Sequence, residues 1–148
     1  TLMSNIKAVD TTLFFYQDEW WLFTGITENE GAFPEIELYL FYSDKLFTTE
    51  WKSHELNPVI TDVTTSRPAG RLFLRNGKIY RPSQDCSKLY GYGFNVNEVQ
   101  VMTHADYCEK KVAVIKPDWD PTMIATHTYT TGDRFTVIDG FTRRSKII

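Results

Sequence analysis

A chain of 148 residues buries one ordinary hydrophobic core, and its net charge of −3 comes from 19 acidic and 16 basic residues mixed along its length. Only Arg143, Arg144 and Lys146 form even a short basic run, so no nucleic-acid partner is expected. Aromatic residues reach 15%, which favours sheet packing and equally suits a surface where sugars or nucleotides stack.

No basic-then-apolar leader opens the chain and no apolar run approaches bilayer length, so this piece is expected to be soluble. A leader or span elsewhere in a longer product stays open. From Ala8, two strands are expected, Leu13 to Tyr16 and Trp20 to Thr24, joined by Gln17-Asp18-Glu19 as a hairpin. Trp20 and Trp21 must then face opposite ways, with at least one in the core. A nearly alternating run from Glu37 to Ser43 follows, and Pro58 marks the exit into a link between units. Ala69 to Arg75 and Lys78 to Pro82 form a second hairpin around Asn76-Gly77, a strong tight-turn signal. Glu98 to His104 and Lys111 to Lys116 supply a third and a fourth strand. A last hairpin is expected from Ala125 to Tyr129 and Arg134 to Asp139, turning at Thr131-Gly132-Asp133. The one helical candidate, His104 to Lys111, is short and lacks an extended apolar period.

The fold class is therefore all-β. Hairpins beginning near Leu13, Leu72 and Thr126 recur at a spacing suited to a four-stranded antiparallel unit, the building block of a β-propeller. The expected units cover residues 8–60, 66–118 and an incomplete 122–148. That is fewer blades than a ring needs, so the chain reads as about half of a larger propeller, with pairing to another copy, or a small barrel or sandwich, as alternatives.

Five segments carry a resemblance: VDTTLFFYQDEWWLFTG, LYLFYSDKLFTTEWKSHELNPVITD, RPAGRLFLRNGKIYRPSQD, YGYGFNVNEVQVMT and YCEKKV. Together they resemble the five-bladed propeller domain at the N-terminus of plant glucosamine inositolphosphorylceramide transferases and in bacterial proteins associated with sugar formyltransferases. That domain is distantly similar to the glycoside hydrolase propellers of arabinanases, xylosidases and invertases. The resemblance spans Val9 to Asp139. The Ala-Asp-Pro strand start and the Pro-Glu element of the family are missing, which makes the chain similar to the second half of that domain. It implies a carbohydrate or nucleotide-sugar ligand, with missing blades or a second copy of the chain as partner and a homo-oligomer as one consequence.

Glycoside hydrolysis needs two carboxyl groups about 5–9.5 Å apart across the scissile bond. Asp10, Asp85 and Glu109 are the catalytic candidates, with Asp139 behind them. Asp10 has a position like that of the blade-opening acid in the distant hydrolases; the alternative is a turn or cap residue. Glu109 lies in a Tyr-x-Glu element that recurs in the family facing the cavity, or else faces solvent beside Lys110 and Lys111. Arg67 and Arg81 each precede a Pro, which holds them extended. The resemblance implies that both line the cavity, where a guanidinium fork grips a carboxylate, a phosphate or a sugar diol. The alternatives are internal pairs, Arg81 with Asp85 and Arg67 with Asp62. Gln84 and Asp85 must point to opposite faces of a strand, so only one meets a ligand. Tyr90 and Tyr92, flanked by Gly91 and Gly93, share a face as a stacking pair, and these glycines lack the helix that a phosphate cradle needs. His127 reads as a sugar hydrogen-bond donor or a packing histidine, and His54 beside Trp51 as a loop stabiliser.

With His104 these are the three histidines, too scattered for a metal site, and no cofactor is expected. Cys86 and Cys108 fit neither a disulfide scaffold nor a CxxC motif and read as free thiols, compatible with a reducing, cytoplasmic compartment. The leading function is a carbohydrate-binding or accessory propeller of a sugar-modifying or sugar-transferring enzyme. An inverting glycoside hydrolase and a structural or protein-binding propeller are the alternatives.

Overall fold

The computed structural model describes residues 1–27 and 36–143, and Arg144 and Lys146 of the basic run lie outside the described residues. Among the described residues every regular element is a strand and every pairing is antiparallel. Two larger sheets face each other across the main core, and two short ribbons close the C-terminal end.

The first sheet runs β1 (Ala8–Tyr16), β2 (Glu19–Ile26), β3 (Glu37–Ser43) and β4 (Lys52–Ser53), with β5 (Ile60–Thr61) on the same edge of β3 as β4. Tyr16 pairs directly with Glu19, so the connection is the two residues Gln17-Asp18 rather than the three expected. Both have positive φ, 51° and 62°, the geometry whose twist matches that of the flanking strands. The strand also starts earlier than expected, because it is interrupted: the register slips between Val9 and Thr12, and Asp10 has a φ of 50°. This bulge hides the strand from a period-2 reading and turns the Asp10 side chain out of the ladder.

Pro58 does not end order. Val59 donates its N–H to the Leu38 carbonyl at 2.9 Å, and β5 returns to pair with β3. Between β4 and β5 the Asn57 side-chain amide substitutes for a strand residue: Leu40 N–H donates to its Oδ1 at 2.8 Å, and its Nδ2 donates to the Leu40 carbonyl at 2.6 Å. The sheet edge therefore keeps its hydrogen bonds where the chain bends away.

The second sheet is a meander of β6 (Phe73–Arg75), β7 (Lys78–Asp85), β8 (Gly93–Met102) and β9 (Tyr107–Ile115). Asn76-Gly77 forms the expected tight turn, with φ of 53° and 74°. β8 begins at Gly93, five residues before the expected start, because its inward face carries Asn95 and Asn97 instead of apolar residues. Asn95 Nδ2 donates to the Thr64 carbonyl at 2.6 Å and Asn97 Nδ2 to Ser83 Oγ at 2.9 Å, so each buried amide nitrogen has a partner. The helical candidate at His104 to Lys111 is the β8–β9 turn and the first half of β9.

Alternation on β2 and β3 buries the first sheet on both faces. Trp21, Phe23, Leu38 and Leu40 point toward the second sheet, where they pack with Phe14, Leu72, Ile79, Val99, Met102 and Tyr107. Leu22, Tyr39 and Phe41 point the other way and are covered by Leu2, Met3, Leu13 and Trp51. Trp21 is thus the core tryptophan of the pair, while Trp20 lies half-buried against Phe15, ring centroids 5.0 Å apart. His104, in the β8–β9 turn, ties the two sheets together. Its ring stacks on Tyr42 at 3.9 Å and its Nε2 lies 2.7 Å from Glu19 Oε2.

The C-terminal hairpin differs from expectation. β10 (Met123–Ala125) pairs with β13 (Phe141–Thr142), and β11 (Tyr129–Thr131) with β12 (Thr136–Ile138). One ladder is replaced by two because Asp139 Oδ1 accepts the N–H groups of His127 and Thr128 at 2.8 and 2.7 Å, removing both from strand pairing.

Candidate functional site

The β1 bulge and the segment before β6 bring distant side chains to one place. Asp10 Oδ2 accepts a hydrogen bond from Arg67 Nε at 2.6 Å and another from Gln84 Nε2 at 3.0 Å. Neither a turn role for Asp10 nor a pairing of Arg67 with Asp62 is what the chain adopts: Asp62 Oδ1 accepts the Thr64 N–H and hydroxyl, both at 2.8 Å. Gln84 also donates to the Pro68 carbonyl at 2.8 Å, so its amide is fixed from two sides. The Arg67 guanidinium lies 4.6 Å from the centroid of the Tyr90 ring, a cation–π contact, and Tyr90 in turn sits 5.4 Å from the His127 ring.

Asp10, Gln84, Tyr90 and His127 line a cleft of about 270 Å³, together with Thr11, Thr12, Thr128 and Thr130. Two glycines permit the last wall. A Cβ on Gly70, whose φ is +148°, would lie 2.0 Å from the Tyr129 carbonyl oxygen, and one on Gly91, φ +63°, would lie 2.6 Å from the His127 Cβ. Only residues without a side chain let the β10–β11 segment approach this closely. Tyr129 N–H then donates to the Ala69 carbonyl at 2.8 Å and Thr126 N–H to the Gly91 carbonyl at 3.1 Å.

Asp139 holds the His127 ring through an Nδ1–Oδ2 contact of 2.5 Å. Burial pushes the Asp139 carboxyl up, but the backbone N–H groups of Thr128 and His127 outweigh it and hold the group below the ordinary carboxylate range. An ionised Asp139 fixes the imidazole orientation by accepting a hydrogen bond from its Nδ1–H, and Nε2 has no partner among the described residues. The Asp139 contribution came from its backbone-binding role, which a sequence pattern of isolated acids does not signal.

The remaining candidates lie elsewhere. Arg81, whose side chain is 0% exposed, makes a two-pronged contact with Glu109, Nε to Oε2 and Nη2 to Oε1, both at 2.7 Å. Tyr107 Oη donates to Glu109 Oε2 at 2.6 Å and Arg81 Nη2 donates to the Thr65 carbonyl at 2.7 Å. Burial alone would lower the Arg81 pKa, yet the Glu109 carboxylate raises it above the ordinary value; burial, then the same carboxylate, raises Tyr107. Glu109 thus neither faces solvent nor shares the cleft with Asp10. It lines a separate groove with Thr65, Asn97 and Tyr107, bracing β7 against β9. Asp85 does not pair with Arg81; its Oδ1 accepts the Ser87 N–H at 3.0 Å, capping the turn after β7. Tyr90 and Tyr92 lie in a turn at Gly91, φ +63°, rather than on a strand, and take different partners: Tyr90 packs with Arg67 and His127, and Tyr92 lies under Lys88, whose Nζ is 4.3 Å from its ring centroid. His54 is buried, its Nδ1 accepting the Leu56 N–H at 3.1 Å. Cys86 and Cys108 form no disulfide, and no cluster of three metal-ligating side chains occurs among the described residues.

Fold and cleft define an all-β protein of antiparallel sheets with a small cleft where both sheets and the C-terminal ribbons meet. The family described as "Glucosamine inositolphosphorylceramide transferase 1, N-terminal" matches residues 1–125, and the chain belongs to that family. It is 33% identical over 106 residues to Glucosamine inositolphosphorylceramide transferase 1 of Oryza sativa subsp. japonica and 32% identical over 106 residues to that of Arabidopsis thaliana. In each case 70% of this chain is covered, and the chain spans 14% of the relative's length. Among solved structures, the Bombyx mori GH32 beta-fructofuranosidase BmSUC1 aligns with a TM-score of 0.49 at 17% identity, covering 95% of this chain and 31% of that one. Asp10, Arg67, Gln84 and Tyr90 fall inside the family match, whereas His127 and Asp139 lie beyond it.

Proposed function

We propose that this chain is a carbohydrate-recognition domain serving an enzyme that transfers or modifies a sugar, and that the cleft at Asp10 is its binding site. The observation that carries this reading is the convergence of Asp10, Gln84, Tyr90 and His127 from separate segments on one cleft, with Arg67 bound to Asp10 and packed on the Tyr90 ring. A carboxylate, an amide and an imidazole nitrogen offer both acceptors and donors to vicinal hydroxyls, and the half-exposed Tyr90 ring offers an apolar wall to a sugar face. At about 270 Å³ the cleft is just below the common range of small-molecule sites, about 300–1,000 Å³, which suits one sugar unit rather than an extended glycan.

Binding fits the geometry better than hydrolysis. Of the acids proposed for a catalytic pair, Glu109 is committed to Arg81 and Tyr107, Asp85 to a turn, and Asp139 to the His127 ring and two backbone N–H groups, which leaves Asp10 without any of them as its opposite number. We read each larger sheet as a propeller blade, since each contains a four-stranded antiparallel meander. The exposed Val112 and Val114 on β9 then mark where a further blade or a second copy of the chain packs.

The test is two-dimensional NMR of the chain titrated with monosaccharides, beginning with glucosamine, the sugar in its relatives' name. Shifts clustered at Thr12, Tyr90 and His127, reduced at least tenfold in affinity by Asp10→Asn, support the reading. Saturating sugar that moves none of these signals refutes it.

A further inference from the structure

A second cleft, of about 540 Å³, opens between the edge strand β6 and the β11–β12 turn, away from the sugar-sized site. Arg71, Arg75 and Arg134 line it, with Asp133 as the one acidic group. None of the three guanidiniums takes part in a hydrogen bond or ion pair among the described residues. That is unlike Arg67 and Arg81, which are both bound to carboxylates. The chain as a whole is acidic, so among the described residues three unpaired guanidiniums against one carboxylate form a local excess opposite to the average. Guanidinium forks match the oxygens of a tetrahedral phosphoryl group, and several converging forks bind it far better than one.

The same cleft also carries large apolar side chains in water. Leu74 is 59% exposed and Phe135, whose carbonyl closes the β11–β12 turn by accepting the Gly132 N–H, 78% exposed. Cations beside an outward-pointing phenyl group are the composition of a surface that sits at a lipid headgroup layer, where the charges meet phosphates and the ring enters the apolar boundary.

We propose that this cleft seats the phosphoryl headgroup of an anionic phospholipid, with Arg71, Arg75 and Arg134 as its ligands and Phe135 as the inserting residue. The site is independent of the sugar reading, because it shares no lining residue with the Asp10 cleft.

The experiment is co-sedimentation of the chain with phosphatidylcholine vesicles, with and without phosphatidylinositol. Binding is expected only when the anionic lipid is present. Arg71→Gln, Arg75→Gln and Arg134→Gln each weaken it roughly fivefold, the scale set by one basic residue at an anionic surface. Phe135→Ser weakens it as well, and Asp133→Asn strengthens it. All these side chains are exposed, and circular dichroism verifies that each variant is folded. Phe47, 91% exposed on a cleft without arginines, is the control, and Phe47→Ser leaves binding unchanged. Equal binding to both vesicle types, or no binding to either, overturns the proposal. So does a loss on Phe47→Ser with Phe135→Ser neutral, which puts insertion elsewhere. Full competition by millimolar inorganic phosphate with Phe135→Ser neutral also overturns it, in favour of a soluble phosphate ligand.

Discussion

Replacing Glu109 by Gln tests what the buried Arg81–Glu109–Tyr107 cluster contributes. The substitution keeps the shape but removes the charge facing a guanidinium whose side chain is 0% exposed, while Glu109 itself is 9% exposed. The carbonyl of Thr65 remains within 2.7 Å of Arg81, so its donors stay partly satisfied, but no carboxylate is left to balance the charge. Breaking a buried pair by removing one partner costs about 3–5 kcal/mol, a large share of the roughly 5–15 kcal/mol that stabilises a domain. At about 2–4 °C per kcal/mol for a chain of this size, Tm should fall by roughly 6–20 °C, read by differential scanning calorimetry. The double substitution Arg81→Met with Glu109→Leu removes both charges and should regain most of that loss. A Glu109→Gln variant that melts within about 2 °C of the parent, or a double variant no better than the single one, would show that the cluster is not the charged brace described here.

Gly91→Ala should destabilise the chain by about 1–3 kcal/mol through a left-handed backbone and a clash with His127, and should weaken any ligand of the Asp10 cleft; Gly77→Ala, at φ +74° with open space around it, should cost only about 1 kcal/mol and leave the cleft unchanged. Urea denaturation of both variants separates the two effects. Because the Asp139 carboxyl is held below its ordinary value of 3.8, the stability it adds is complete above that pH and is lost as pH falls through the lowered folded-state value. Tm measured against pH should therefore drop more steeply in the acid range for the parent than for Asp139→Asn, and parallel curves would contradict the role given to Asp139.

Much of the fold was legible locally. Asn76-Gly77 between apolar runs specifies a tight turn because those residue types tolerate positive φ, and the structure has that turn. The lack of an extended 3.6-residue apolar period argued against helices, leaving only the short candidate at His104 to Lys111, and among the described residues there are none. Where local reading failed, the chain departs from simple alternation. The bulge at Asp10 interrupts β1, the buried Asn95 and Asn97 make an inward strand face look polar, and the Asp139 carboxylate splits one expected hairpin into two ribbons.

The candidate site divides in the same way. Residue types and the resemblance together marked Asp10, Arg67, Arg81, Gln84, Tyr90, Glu109 and His127 as site candidates, and the charged groups among them are costly to bury without a partner. Which partner each takes was decided only by tertiary structure. Asp10 meets Arg67 across 57 residues and Gln84 across 74, and Arg81 meets Glu109 across 28. Composition sets the need for compensation, but strand register and the two-sheet packing set the distances, and a charge pairs with whatever the fold brings within reach. That is why the neighbours in sequence, Asp62 and Asp85, cap turns, while the groups that pair with the two arginines lie on other strands.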